Sequence, residues 1–156
     1  MTKNKYFYIC LFLGIMLSTW HISANWYQLV LVRGDSMVPA YHNMQLVLAD
    51  RHSGDYTYGD VIAFHCDGLD TVLIKRIAAC PGDEVKIEDG CLYINGDGST
   101  VFAEGTVFSY AGIAELPVQM ADGQYFVIGD NIEKSKDSRY REVGCVNENR
   151  IIGKII

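Results

Sequence analysis

The sequence predicts a mainly β protein, with a barrel-like antiparallel β-domain and one N-terminal transmembrane helix. Short β-branched runs recur along the chain from about residue 29 onward. Asp-Gly and Asn-Gly pairs, which favour tight hairpin turns, separate several of these runs. A charge-free apolar stretch at residues 6–20 precedes all of them. With 156 residues, the chain is long enough for one domain and an appendage.

Residues 1–25 are predicted to form a cytoplasmic N-terminus and a transmembrane anchor. Lys3 and Lys5 precede the apolar stretch, which continues weakly as far as Ile22. A helix of about 17 residues spans ~25 Å, slightly less than a ~30 Å hydrocarbon core. A cleaved signal peptide is the alternative, but the bulky Ile22 at the nearest small-residue cleavage site favours retention. The two lysines orient the N-terminus toward the cytoplasm and the remaining chain toward the outside.

Residues 26–156 are predicted to form the extracytoplasmic β-domain. The pattern predicts strands at residues 29–32, 45–50, 61–65, 71–77, 84–87, 91–95 and 124–128, and closing strands at 144–146 and 151–156. We expect the last of these to seal an edge of the sheet. Residues 96–124 are Gly-rich and weakly periodic, which indicates a variable insertion with one or two short strands.

The net charge and the cysteine pattern of the chain indicate which ligands it is not expected to bind. The formal net charge of −6 argues against nucleic acid, because phosphate binding needs a basic surface. No C-x2-C pair is present, so the sequence predicts neither a metal site nor a cofactor. Cys10 lies in the apolar stretch. The four other cysteines allow three complete disulfide pairings, among which the sequence does not choose: Cys66, Cys80, Cys91 and Cys145.

Ser36 is the first candidate for chemistry. Ser36 follows the predicted strand at residues 29–32. Gly34 and Pro39, residue types that favour turns, lie on either side of it, so Ser36 is predicted to lie in a turn. A serine at such a bend can present its hydroxyl and a free backbone N–H to a substrate carbonyl. Acyl transfer requires such groups as nucleophile and oxyanion donor.

Lys75 is the second candidate, because it occurs within an apolar strand, between Ile74 and Ile77. A lysine with a pKa of ~10.4 is almost entirely protonated near pH 7 and is a poor general base. Burial lowers the pKa of an amine by disfavouring its charged form. None of the four histidines has the spacing of a Ser-His-Asp signature.

Three segments, residues 32–39, 73–85 and 129–140, together resemble the motif boxes of the bacterial type I signal peptidases. These are membrane-bound Ser/Lys enzymes that remove signal peptides. The resemblance extends from about residue 32 to residue 140 and is closest to the short form of Gram-positive bacteria. It implies that Ser36 is the nucleophile and that Lys75 is the general base.

The resemblance also implies roles for neighbouring residues. Ser135 is expected to hydrogen-bond the lysine amine, and Asp137 to pair with Arg139. The S1 and S3 pockets, which accept small residues at substrate positions −1 and −3, are expected to be lined by Val32, Met37, Tyr41 and Ile74. Tyr41 is bulkier than is usual there. The second oxyanion donor of some relatives, a serine hydroxyl, falls on Gly34 and is unassigned in this chain.

The predicted function is therefore that of a membrane-bound serine endopeptidase that removes N-terminal signal peptides from exported preproteins. Its partners are these signal peptides and membrane lipid, and its location is the cell membrane. A specialised pilin or conjugation-type peptidase of the same family is an alternative. A non-catalytic, membrane-tethered β-domain that binds peptides is another. A self-cleaving repressor-type domain is disfavoured by the apolar N-terminus and the lack of a helix-turn-helix pattern.

Overall fold

The structure is a computed structural model that describes residues 3–156, with side chains for residues 5–20 and 25–156. The chain begins with helix α1 (Lys3–Trp26) and continues with short strands. The strands are β1 (Tyr27–Leu31), β2 (Leu46–Asp50), β3 (Val61–Cys66), β4 (Thr71–Ala79), β5 (Glu84–Glu88), β6 (Cys91–Ile94), β7 (Asp97–Gly98), β8 (Val118–Gln119), β9 (Gln124–Ile128), β10 (Val146–Asn147) and β11 (Ile151–Ile155).

The strands form two antiparallel sheets, so the mainly β prediction is confirmed. The larger sheet has seven strands in the order β1-β2-β11-β3-β4-β9-β10, and the smaller has the order β7-β6-β5-β8. The predicted barrel-like closure is wrong, because β1 and β10 lie at opposite edges of the larger sheet in the described residues. The last strand, β11, seals no edge, since it pairs with both β2 and β3.

Helix α1 forms where the apolar N-terminal stretch was identified, and its side chains are mostly exposed, including Leu17 and Trp20. In the part of the chain that the structure describes, no helix combines the length and apolar character needed to cross a membrane. The transmembrane prediction for residues 1–25 is therefore not confirmed. The strongly apolar run ends at Trp20, because His21, Ser23 and Asn25 follow, and it is shorter than ~20 consecutive apolar residues. The side chain of Ile22 lies outside the described residues.

Residues 96–124 contain two very short strands, β7 and β8, which agrees with the one or two short strands predicted for this segment. Both extend the smaller sheet, where β7 pairs with β6 and β8 pairs with β5. A buried cluster that includes Val85, Phe108 and Phe126 joins this sheet to β9 of the larger one. Residues 96–124 thus pack against the strand that leads into residues 129–140.

A second buried cluster lies beneath the turn that carries Ser36. It contains Val32, Met37, Ala63 and Ile74, together with residues of β1, β2 and β11. These side chains come from segments far apart in the sequence. Their packing positions the turn after β1 beside the middle of β4, where Lys75 is located.

Candidate active site

The turn that carries Ser36 is fixed by backbone hydrogen bonds. Gly34 has a φ of +81°, a conformation that favours glycine. Its N–H donates to Asn43 Oδ1 at 2.9 Å, and Tyr41 N–H donates to Met37 O at 2.8 Å. The Ser36 carbonyl accepts the Asn131 N–H at 3.0 Å, which joins this turn to the loop after β9. Ser36 is half-buried and held from both sides.

Lys75 lies on β4, between β3 and β9, and only 2% of its surface is exposed. Its Nζ donates to Ser36 Oγ at 2.8 Å and to the Ile74 carbonyl at 2.8 Å. The two residues identified separately in the sequence therefore meet within hydrogen-bonding distance. Ser36 Oγ can pass its proton directly to this amine once the amine is neutral.

Burial lowers the pKa of Lys75 from its ordinary value to about 8. Loss of water around the amine is the largest cause, because it disfavours the charged form. The carboxylates of Asp137 and Asp130 act in the opposite direction and raise the pKa. The result is an amine that is partly neutral near neutral pH, as a general base must be.

Ser135, Asp137 and Arg139 are buried, and they form a network in which two of them pair as expected. Arg139 Nε donates to Asp137 Oδ1 at 2.8 Å, and its Nη2 donates to Oδ2 at 3.0 Å. The expected bond from Ser135 to the Lys75 amine is not formed in the described part of the chain. Ser135 Oγ instead accepts the Gly129 N–H at 3.1 Å, because the loop turns its hydroxyl toward the backbone.

Gly129 is a residue whose role was not identified in the sequence beyond that of a turn former. A Cβ at this position would lie 2.3 Å from Ser135 Oγ and 2.5 Å from the Ser36 carbonyl oxygen. Only glycine allows the loop after β9 to approach Ser36 this closely. The signal was present as the Gly-Asp-Asn turn, but the close approach depends on the tertiary fold.

An ion pair that the sequence did not reveal also holds this loop. Arg76, next to Lys75 on β4, donates from Nε and Nη2 to the two carboxylate oxygens of Asp130, at 2.7 and 2.6 Å. Its Nη1 donates to the Gly59 carbonyl at 2.6 Å. Such a bidentate pair has a fixed orientation. It links the lysine-bearing strand to the loop that contacts Ser36.

A cavity of about 40 Å³ adjoins Ser36 and Lys75. Of the four predicted pocket residues, Val32, Met37 and Ile74 line it. Tyr41 does not, because its half-buried ring packs against the cluster beneath the turn. The remaining lining residues are Leu31, Arg33, Val72 and Leu73.

A larger cavity of about 940 Å³ lies elsewhere, between the β5–β6 turn and residues 108–115 and 140–142. It contains neither Ser36 nor Lys75. Its acidic residues are exposed, and Arg141 is the one basic residue among those that line it. The small cavity is therefore the one that can receive a reacting group.

Ser36 N–H has no acceptor among the hydrogen bonds of the described residues. It is thus available to an oxyanion that develops next to Ser36 Oγ. The N–H of Gly34 is already bonded to Asn43, so the second donor stays unassigned.

All five cysteines are free thiols, so the structure forms none of the three pairings that the sequence allowed. Cys66 is buried, and its thiol donates to the Glu142 carbonyl at 3.5 Å. Burial raises the pKa of Cys145 and raises that of Cys80 to about 11. Thiols of this kind are poor nucleophiles at neutral pH.

A serine hydroxyl bonded to a desolvated lysine amine, beside a small cavity and a free backbone N–H, has the parts that acyl transfer requires. The fold and this site together define the class of the molecule as a candidate serine hydrolase with a lysine base. The Ser-His-Asp arrangement is not needed for this chemistry, since the amine can take the proton itself.

Comparison with known proteins gives the family. A family model described as signal peptidase, peptidase S26, matches residues 5–156. The chain is 32% identical over 142 residues to signal peptidase I of Bacillus licheniformis. The aligned region covers 85% of this chain and 76% of that protein. It is 35% identical over 133 residues to signal peptidase I S of Bacillus subtilis strain 168, covering 78% and 71% respectively.

The structural comparison agrees. The crystal structure of a signal peptidase I from Enterococcus faecalis V583 superposes with a TM-score of 0.53 and 27% sequence identity. The match covers 65% of this chain and 97% of that one. The chain belongs to the signal peptidase family, peptidase S26.

Proposed function

We propose that this protein is a serine endopeptidase that removes N-terminal signal peptides from exported preproteins, with Ser36 as nucleophile and Lys75 as general base. The observation that carries the proposal is the 2.8 Å hydrogen bond between Lys75 Nζ and Ser36 Oγ. Burial of the amine supports it, because a lysine with a pKa of about 8 is neutral often enough to act as a base. The type of reaction, removal of signal peptides, is inferred from membership of the signal peptidase family.

The proposed reaction begins when neutral Lys75 accepts the proton of Ser36 Oγ. The oxygen then bonds to the carbonyl carbon of the substrate, and Ser36 N–H donates to the oxyanion that forms. Protonated Lys75 gives its proton to the leaving amine as the peptide bond breaks. Neutral Lys75 next accepts a proton from water, which attacks the acyl-enzyme. Lys75 then returns this proton to Ser36 Oγ as the second product leaves, which restores both residues.

The cavity volume supports a substrate with a small residue at position −1. A volume of about 40 Å³ has room for only a few water molecules, since one water needs about 10–15 Å³ on this measure. It can hold a methyl group, whereas a leucine or phenylalanine side chain would require Met37 or Ile74 to move. Both of these side chains are tightly packed in the buried cluster, so we expect the limit on size to be strict.

We also propose that the N-terminal region holds the protein at a membrane, with the N-terminus on the cytoplasmic side and the β-domain outside. The exposed apolar side chains of α1 support this, since Phe7, Phe12 and Leu17 are each more than half exposed. Contiguous apolar surface of this kind usually marks contact with lipid or with another protein. A substrate held by the same membrane would then present its cut site near Ser36.

The test is cleavage of a preprotein with an Ala-x-Ala site in detergent. Ser36→Ala and Lys75→Ala should each lower kcat/KM by at least about 10³-fold with circular dichroism unchanged, because each removes a group that the bond-making step needs. Ser109→Ala and Lys134→Ala serve as matched controls, since both side chains are exposed and neither lines the cavity beside Ser36. Substantial activity in the Ser36 or the Lys75 variant would refute the assignment. Loss of activity in the control variants would show that the effect is not specific to Ser36 and Lys75.

A further inference from the structure

Arg33 is an exposed cation on the wall of the cavity beside Ser36. It makes no ion pair or side-chain hydrogen bond within the part of the chain that the structure describes. By contrast, Arg76, Arg139 and Arg150 each pair with a carboxylate. An arginine without a partner next to the reacting groups is free to bind a group from the substrate.

The backbone pattern determines which part of a substrate Arg33 can reach. All three residues from Leu31 to Arg33 line the cavity, and Val32 is 2% exposed, whereas Leu31 is half-buried and Arg33 is exposed. This alternation is that of an extended chain. A peptide whose small side chain fills the cavity therefore directs its neighbouring side chains toward the rim, where Arg33 lies.

The other charges near this rim are few. Asp35 lies in the same turn and is exposed, but it does not line the cavity and forms no ion pair in the described residues. Lys75 is buried at the base and must be neutral for the reaction. The charge that the rim presents to a bound peptide is thus positive, in a protein whose net charge is −6.

We propose that Arg33 binds a carboxylate of the substrate next to the scissile bond, so that the enzyme prefers preproteins with Asp or Glu beside the small residue that fills the cavity. This inference rests on the proposed function and adds a specificity-determining residue to it. The guanidinium can hold a carboxylate through two parallel hydrogen bonds. An exposed ion pair of this type contributes about a two- to five-fold preference.

The experiment uses the full-length chain in detergent and a neutral parent peptide with an Ala-Gln-Ala cut site. Single Glu residues replace neutral ones at positions −2, +1 and +2, one at a time. At one or more of these positions, we expect Glu to raise kcat/KM by about two- to five-fold, and salt at about 0.5 M to reduce this ratio. Arg33→Gln should bring the ratio close to one, and Arg33→Glu should favour Lys over Glu.

Arg51→Gln is the matched control, because Arg51 is also exposed, forms no ion pair with the side chains that the structure describes, and does not line the cavity. It should keep the wild-type ratio. Equal cleavage of the Glu and neutral peptides at all three positions would overturn the inference, as would a ratio that Arg33→Gln leaves unchanged. Cleavage of the parent peptide separates this failure from a failure of the proposed function. If no peptide is cleaved, fluorescence anisotropy of the same peptides on the Ser36→Ala chain still tests Arg33, and equal affinities there would likewise refute it.

Discussion

At the scale of single residues, the chemistry depends on how far the Lys75 amine is removed from water. A lysine with a pKa of ~10.4 is neutral in about one molecule in a few thousand near pH 7. With a pKa of about 8, roughly one in ten is neutral. Burial on β4 therefore increases the reactive population by more than two orders of magnitude. Asp130 and Asp137 limit the gain because they favour the charged amine.

The pH dependence of kcat/KM follows from this balance. Only the neutral amine accepts the Ser36 proton, so activity should rise with pH along a limb whose apparent pKa lies near 8. Asp130→Asn should move the limb to lower pH, because it removes a charge that raises the pKa of Lys75. The measurement is kcat/KM for a peptide without titratable groups, from about pH 6 to 10. It gives the apparent pKa of the limb for the wild type and for Asp130→Asn. A limb near the ordinary lysine value would show that the amine is solvated.

The buried pair of Asp137 and Arg139 makes a different prediction, about stability. Asp137→Asn leaves Arg139 charged, almost fully buried and without its carboxylate. We expect the free energy of unfolding to fall by about 3–5 kcal/mol, measured by urea denaturation. Lys136→Gln breaks the exposed pair with Glu142 and should leave the free energy of unfolding nearly unchanged, because solvent screens this pair. Equal losses in the two variants would contradict the special role of the buried pair.

At the scale of secondary-structure elements, the site is formed where β1, β4 and β9 end or pass each other. The turn after β1 carries Ser36, the middle of β4 carries Lys75, and the loop after β9 contacts both. Asn131 donates to the Ser36 carbonyl, and Asp130 pairs with Arg76 on β4. The loop thus connects the turn that carries the nucleophile to the strand that carries the base, through a hydrogen bond to Ser36 and an ion pair with Arg76.

Gly129→Ala tests whether this close approach matters. The added Cβ would meet the Ser36 carbonyl oxygen and the Ser135 side chain well inside contact distance, so the loop must move away from Ser36. We expect kcat/KM to fall by about 100-fold, because a displacement of about 1 Å disturbs the reacting geometry to that extent. Gly54→Ala is the control, since a Cβ there meets nothing within 4 Å. Wild-type kinetics for Gly129→Ala would show that the contact is not needed.

Most strands could be predicted from the sequence, because β-branched runs and Asp-Gly or Asn-Gly turns are local signals. The order of the strands could not. The insertion of β11 between β2 and β3 depends on packing between distant segments, and nothing in residues 151–155 encodes it. The same limit applies at the site: Ser36 and Lys75 were identifiable from their motifs, whereas the hydrogen bond of Ser135 to Gly129 depends on loop geometry.

At the scale of the whole molecule, apolar surface continues from α1 onto the domain. Trp26 ends the helix, and its ring stacks on His52 with a centroid distance of 4.7 Å. Beyond it, the exposed side chains of Tyr27 and Leu29 on β1 and Leu46 on β2 continue the apolar surface. Tyrosine and tryptophan are enriched at membrane–water interfaces. This arrangement supports contact between the β1–β2 edge of the sheet and lipid.

The corresponding prediction concerns residues 26–156 expressed without the N-terminal segment. The truncated protein should keep measurable affinity for phospholipid vesicles in sedimentation, because Leu29 and Leu46 remain exposed. Leu29→Ser combined with Leu46→Ser should weaken this binding by about tenfold or more, since each leucine loses favourable burial in lipid. Val107→Ser with Leu116→Ser, which removes exposed apolar side chains elsewhere, should leave it unchanged. Near-ultraviolet circular dichroism confirms that each variant is folded. A truncated protein that is folded but does not sediment with vesicles would restrict lipid contact to α1 and refute the prediction.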